Sequence, residues 1–311
     1  MNRREAARGQ AARREPYHVK AVDRTLALGA RPWLMGIVNA SPDSFSDGGL
    51  ENTPQARFEL AGELLAAGAD ILDIGGESAT TGRPPVEVEE EIRRVVPLVE
   101  HVVGELGAVV SVDTYKPTVA RAAIAAGAVI VNDVSGLRDP ELAEVCAQTG
   151  AALVVMHTRA APRQRMQEPE LYGKDVAGEV LAFLRERIEL ALAAGMAPEQ
   201  LIVDPGPDFA KTPAQTIALL KDVGRLHELE RPLLMAISRK DFIGALTGRA
   251  PRERLAGTLA ALGHGLDAGA HVFRVHDVAA AADFIAVRAA LVGDLEPGRD
   301  LRLAEELRYD R

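Results

Sequence analysis

The chain has 311 residues, 47% hydrophobic and 26% charged, the balance of a soluble globular protein with room for one large barrel or two modest domains. A net charge of −9 excludes the basic footprint of a non-specific nucleic-acid binder, although it permits a local basic pocket. Cys146 is the only cysteine, which rules out an intramolecular disulfide and a cysteine zinc cluster, and no apolar run reaches membrane-span length, so the expectation is a cytoplasmic protein without a membrane partner.

Residues 1–25 are rich in arginine (Arg3, Arg4, Arg8, Arg13, Arg14, Arg24) and read as a flexible basic N-terminal tail. The segment Leu26–Arg31 follows and is placed to plug the bottom of a barrel. After residue 30 a grammar repeats: a short apolar run, polar loop residues, a helical pattern, then a glycine. The apolar runs predict eight strands: Leu34–Val38, Ile71–Gly75, Val109–Asp113, Val129–Asn132, Ala152–Met156, Leu201–Asp204, Leu233–Ile237 and Val272–Val275. Between them lie apolar stripes of helical spacing, the longest from Val176 to Leu192. Gly68, Gly127, Gly150, Gly195 and Gly269 fall where left-handed helix caps belong. Strands alternating with helices imply βαβ units, and eight units predict an α/β fold, a single-domain (β/α)8 TIM barrel over residues 26–293. A doubly wound open sheet is the alternative, disfavoured because the first βα turn lacks G-x-G-x-x-G. Residues 294–311 are strongly charged and read as a C-terminal tail.

Active sites of such barrels lie at the C-terminal ends of the strands. Every predicted strand ends on polar residues: Asn39, Asp73 with Glu77, Asp113-Thr114, Asn132-Asp133, His157-Thr158, Asp204, Ser238-Arg239-Lys240, and Arg274 with His276-Asp277. Each alone has a bland account. An Asp after a strand is often a helix N-cap, a reading that suits Asp277 and is open for Glu77 and Asp133. His157 reads as a structural hydrogen bonder, and Asp204 with Lys240 could be a buried ion pair. Together they sort by charge. Asp73, Asp113, Asn132 and Asp204 suit a polar heterocycle with N–H donors, such as a pterin or purine. Lys240, Arg274 and His276 suit an anionic group, since loops after the last two strands often bind phosphate.

The motifs LMGIVNASPDSFSDGG at 34–49, DILDIGGES at 70–78, VSVDTYKP at 110–117, VIVNDVSG at 129–136, VMH at 155–157, SRKDFIG at 238–244 and FRVHDV at 273–278 occur one per βα unit. In that order they resemble dihydropteroate synthases, a (β/α)8 family of folate biosynthesis. The family condenses 6-hydroxymethyl-7,8-dihydropterin diphosphate with 4-aminobenzoate and releases diphosphate. The resemblance implies that Asp113, Lys240 and Arg274 are catalytic and that Asp113, Asn132, Asp204 and Lys240 hold the pterin, with Asp73 near it. It implies that Asn39, Arg274 and His276 serve the diphosphate, Asn39 through Mg2+, and that Phe45, Ser238 and Thr80 lie near the aminobenzoate. It also implies a homodimer packed through the last helices, a target for sulfonamides, and closure of the first two loops over the site.

The chain departs from the family pattern in three places. After GGES the family has Thr-Arg-Pro-Gly, but here Ala79, Thr80, Thr81, Gly82 and Arg83 follow, so Thr80 and Arg83 substitute only after a loop shift. The sixth motif is DPGPDFAK at 204–211, with Asp208 and Ala210 in place of glycines. Asp208 brings a negative charge that Lys211 or Arg239 would need to pair. Arg159 and Ala160 follow MHT where the family often has glycine. The competing expectations are a non-catalytic pterin-binding paralogue, a methyltetrahydrofolate-type methyltransferase barrel, which has no need of the anion set, and an aldolase-like barrel, which needs a lysine inside a strand.

Overall fold

A computed structural model describes residues 14–41, 53–77 and 85–308. The chain opens with an antiparallel hairpin, β1 (Tyr17–Ala21) and β2 (Arg24–Leu28), in register from Tyr17 opposite Leu28 to Ala21 opposite Arg24. There follow β3 (Trp33–Asn39), α1 (Pro54–Ala66), β4 (Ile71–Gly75), α2 (Val88–Gly104), β5 (Val110–Asp113), α3 (Pro117–Ala125), β6 (Ile130–Asp133) and α4 (Glu141–Thr149). The second half continues with β7 (Ala152–Met156), α5 (Val176–Ala193), β8 (Leu201–Asp204), α6 (Pro213–Lys221), β9 (Leu234–Met235), α7 (Asp241–Thr247), α8 (Leu255–Asp267), β10 (Val272–Val275) and α9 (Val278–Val292).

Strands β3 to β10 form one parallel sheet in the order β8-β7-β6-β5-β4-β3-β10-β9. A bridge between Val203 and Leu233 joins its two ends, so the sheet closes into the expected (β/α)8 barrel. Closure demands strands buried on both faces, which is why β4, β6, β7 and β8 are buried at every position. The weakest wall is β9. Leu233–Ile237 was expected as a strand, but only Leu234 and Met235 pair with β10, and a single bridge joins this stretch to β8. Ala236 and Ile237 keep the burial that made them look like strand while leaving the ladder. The five glycines predicted as helix caps all have positive φ, from +77° at Gly150 to +113° at Gly127.

The floor of the barrel is the hairpin. Val19, Ala21, Leu26 and Leu28 are buried against Met35, Ile71, Ile130, Val154, Ile202 and Val272, the inward residues at the N-terminal ends of the strands. Alternation along β1 and β2 puts those four apolar residues inward and His18, Lys20, Thr25 and Ala27 outward. The N–H of Val22 reaches the carbonyl of Gly150 at 2.7 Å and fixes the hairpin to the wall. The plug expected from Leu26–Arg31 is thus present but twice as long, and the boundary expected at residue 26 falls inside it. Tyr17–Arg24, read as tail, is structural.

Burying a leucine in such a floor stabilises by its transfer free energy plus the cavity its loss would leave. Leu28→Ala is expected to cost about 2–4 kcal/mol in urea unfolding. Deletion of residues 1–24, which removes β1, is expected to cost at least as much, whereas removing residues 1–13 leaves the floor whole.

Candidate active site

The strand register decides which side chains meet. Asp73 on β4 lies opposite Ser111 on β5, and Asp113 at the end of β5 lies opposite Asn132 on β6. Asp73 and Asn132 are buried, and the Asn132 amide donates to Asp73 Oδ2 at 3.0 Å. The closing strand, β10, brings Arg274 to the same place. Its Nε–H donates to Asp73 Oδ2 at 2.6 Å and its Nη2–H to Asp113 Oδ2 at 2.8 Å. Burial works against the charge on Arg274, but Asp73 and Asp113 more than offset it and hold its pKa above the usual arginine value. A guanidinium has five N–H donors. Two are used among the described residues, which leaves three for a ligand.

Asp113 is pushed up to about 7, chiefly by burial, with the Asp73 charge adding to the rise and Arg274 opposing it. Asp204, at the end of β8, is buried too and sits at about 6, because desolvation outweighs the bond it accepts from Gly206 N–H at 2.7 Å. These are carboxylates held out of water and awaiting donors. Among the described residues, Asp73 Oδ1 is buried without a hydrogen-bond partner, as is Ser111 Oγ on the neighbouring strand. An acceptor in that state calls for a ligand N–H or a bound water.

Lys240 stands at the N-terminus of α7, its Nζ 4.3 Å from the centroid of the Phe209 ring, a cation–π contact. Burial lowers its pKa. Among the described residues it makes no ion pair with Asp204, so the buried-pair account of these two does not hold. Ser238, expected near the aminobenzoate, has its Oγ bonded to His276, accepting the backbone N–H at 3.2 Å and lying 2.9 Å from Nδ1. Burial, with Arg239 and Arg274 nearby, lowers His276 to about 3, so the ring is neutral. If Ser238 donates to Nδ1, the ring proton sits on Nε2, which is then a neutral donor and not a cation.

The charge sorting read from sequence is therefore only partly right, because Arg274 joins the acidic set. Asp277 occupies the N-cap position of α9 but makes no capping bond. Its carboxylate takes Arg239 at 2.8 and 3.1 Å. Asp208 pairs with neither Lys211 nor Arg239. It accepts Thr216 Oγ1 at 3.0 Å and the backbone N–H of Asp241 at 2.5 Å, and so faces the positive end of α7. Asp133 accepts the N–H groups of Ser135 and Leu137 within its own turn. Asn39 ends β3 at the rim. Phe45 and Thr80, with Arg83 and most of the first two loops, lie outside the described residues.

Two supports were missed in the sequence. Lys116 Nζ donates to Glu77 at 2.7 Å, to the Val86 carbonyl at 2.6 Å and to buried Glu91 at 2.5 Å, and so ties together both ends of the β4–α2 loop. Gly76 is obligatory there, since an added Cβ would stand 2.7 Å from Glu91 Cγ. Arg254 donates to the carbonyls of Arg239 at 2.9 Å and Lys240 at 3.1 Å, holding the segment that carries Ser238 and Lys240. Lys116 stood in a recognised motif and carried a usable signal. Arg254 stood in a charged run and carried none. Asp113, Phe209 and Lys240 line a cleft of about 650 Å³, with Arg163 and Glu77 on its far wall.

A closed βα barrel with buried carboxylates, an amide and a paired arginine at its mouth defines a class that takes a polar heterocycle, and the family model described as pterin binding enzyme matches residues 35–276. The dihydropteroate synthase of Synechocystis sp. is 43% identical over 265 residues, 85% of this chain and 91% of that protein. An inactive dihydropteroate synthase 2 of Mycobacterium tuberculosis is 41% identical over 279 residues, 88% of this chain and 87% of that one. The solved structure of Xanthomonas albilineans dihydropteroate synthase with 4-aminobenzoic acid is 43% identical, covers 88% of this chain and 98% of its own, and superposes with a TM-score of 0.80. The chain belongs to the dihydropteroate synthase family.

Removing Arg274 would leave two buried carboxylates uncompensated. Arg274→Ala is expected to destabilise the fold by about 3–5 kcal/mol in urea unfolding. Arg274→Lys keeps one charge but cannot fork to both acids, and is expected to fold while losing about 100-fold or more in turnover.

Proposed function

We infer that this chain is a dihydropteroate synthase of folate biosynthesis. It transfers the pterin methylene of 6-hydroxymethyl-7,8-dihydropterin diphosphate to the amine of 4-aminobenzoate, giving 7,8-dihydropteroate and diphosphate. The observation that carries this reading is the Asn132–Asp73–Arg274–Asp113 cluster. It joins a heterocycle site to an anion site through one guanidinium.

In this reading Asp204, Asn132 and Asp73 receive and orient the pterin ring, and Lys240 holds its edge against Phe209. The C–O bond to diphosphate breaks as the amine nitrogen bonds to the methylene, and the nitrogen then gives up one proton to solvent. Asp113 faces the methylene and stabilises the positive charge that develops there. The unused donors of Arg274 and the Nε2–H of His276 take the charge that develops on the leaving oxygen. An arylamine is already nucleophilic, so no serine or cysteine attack is required, and Cys146 is buried away from the site in α4.

The Asn39 amide is a hard oxygen donor at the rim, which suits Mg2+. Among the described residues no group of three His, Cys, Asp or Glu is gathered for a metal, so the diphosphate would bring most of the oxygen ligands. Bound there, Mg2+ would neutralise charge on the departing diphosphate.

A homodimer through α8 and α9 is part of the proposal, supported by Val287, Leu291 and Val292, which are 61%, 81% and 47% exposed. So are a cytoplasmic location and competition by sulfonamides for the aminobenzoate pocket. No helix among the described residues is long and apolar enough to cross a membrane. The altered sequence at 79–83 and the inactive mycobacterial relative support a second reading, a pterin binder without turnover.

Purified protein given Mg2+, the pterin diphosphate and 4-aminobenzoate is expected to release diphosphate and form dihydropteroate. Tight pterin binding without turnover would select the second reading, and neither binding nor turnover would sink both. Lys240→Ala is expected to abolish turnover with the fold intact, and a near-normal rate would remove Lys240 from the site. The carboxylates set a pH dependence. Burial raises Asp204 to about 6, and only its ionised form accepts two N–H donors. Pterin affinity is therefore expected to be full above that pH and to fall by about tenfold per unit below it, read by calorimetry from pH 5 to 8.

A further inference from the structure

Lys211 is among the largest fully buried side chains of the described residues, at 0% exposure. An ammonium in that position is costly unless it is paired, yet among the described residues no carboxylate lies within ion-pair distance of it, and burial lowers its pKa well below the usual lysine value. Its three donors go instead to neutral acceptors: the Gly206 carbonyl at 2.8 Å, the Phe209 carbonyl at 3.1 Å and His157 Nδ1 at 2.8 Å. All three are satisfied, and two of the three acceptors belong to the β8–α6 loop.

That loop cannot hold its shape by itself. Gly206, Asp208 and Ala210 all have positive φ, at +63°, +66° and +50°. The last two are not glycine, and a left-handed conformation is strained for residues with a Cβ. The carbonyl of His157 fixes Gly206 from the other side, since a Cβ there would stand 2.0 Å from it. The loop carries two groups of the site. Gly206 N–H donates to Asp204 Oδ1 at 2.7 Å, and the Phe209 ring lies under Lys240 Nζ at 4.3 Å. The residue that bridges the carbonyls of Gly206 and Phe209 therefore sets the distance between the amide that serves Asp204 and the ring that serves Lys240.

We propose that Lys211 is a positioning residue for the pterin end of the site, using its buried amino group to hold the β8–α6 loop so that Asp204 and Lys240 present their groups at a fixed separation. It does not touch the ligand. Asp204 also feels Lys211, as it feels Lys240 and Arg274, each of which favours its ionised form. Burial, together with the cations Lys211 and Arg159, keeps His157 far below its usual pKa. The imidazole thus stays neutral, so its Nδ1 can accept from the amino group.

The inference rests on the dihydropteroate synthase reading, and the test separates the two. Lys211→Met keeps the length and removes the donors, and Lys211→Gln keeps one polar end. Both are measured as full-length protein for pterin affinity by calorimetry, for KM of each substrate, and for urea stability. The expected result is a loss of about 10–100-fold in pterin affinity, the range seen when groups that orient a ligand set are removed. The KM for 4-aminobenzoate, measured at saturating pterin diphosphate, stays within about threefold of wild type. Pterin affinity unchanged in folded Lys211→Met overturns the proposal, as does an equal loss for both substrates that tracks only the unfolded fraction. Should both Lys211 variants fail to fold, Phe209→Leu decides. It leaves the amino group in place and removes the ring, and is expected to show the same selective loss, with normal pterin affinity overturning the idea. A wild-type protein that neither binds the pterin nor turns over defeats the functional reading itself.

Discussion

Everything at the mouth of this barrel depends on one guanidinium reaching two carboxylates. Arg274 lies 201 residues from Asp73 and 161 from Asp113 in the chain, and only the closure of the sheet through β10 and β3 makes them neighbours. Asp73 is fully buried. Its charge is bearable because Arg274 and Asn132 both donate to the same oxygen, leaving the other oxygen for what binds. The fold and the site are therefore one electrostatic statement: without closure the acids are unpaired, and without the acids the arginine is stranded in a half-buried position.

The same device recurs around the rim. Lys116 ties the base of the β4–α2 loop, Lys211 the β8–α6 loop and Arg254 the β9–α7 segment, each by donating to backbone carbonyls. A long cation suits the task because it satisfies several acceptors at once while its alkyl stem packs as an apolar chain. The loops after the strands are thus preorganised from beneath, which is where a site gains precision when its own loops are free to vary.

Much of this could be read in the sequence, for identifiable reasons. A parallel barrel wall is apolar on both faces, so β4, β7, β8 and β10 appear as bare runs with their ends at the predicted residues. The same criterion over-reads Ala236 and Ile237, which are buried but unpaired. It under-reads β1, whose five residues alternate too briefly among charges to stand out from an arginine-rich tail. The residues of the candidate site stood out because they lie in or just after the C-terminal halves of strands. Their partnerships did not. Sorting by charge separates Arg274 from Asp73, whereas Coulomb attraction in a closed structure brings them together. Likewise nothing local announces that the Ser238 hydroxyl bonds His276.

The apolar floor has a consequence for the mouth above it. Val19, Leu26 and Leu28 fill the lower end with hydrocarbon, so the charges at the upper end have a poorly polarisable medium behind them and solvent only in front. Field lines that cannot spread downward are concentrated outward, along the path by which a ligand must arrive. The hairpin, remote from any reacting atom, thus works as the insulating back of a one-sided electrode, and it gives the barrel a direction as well as a seal.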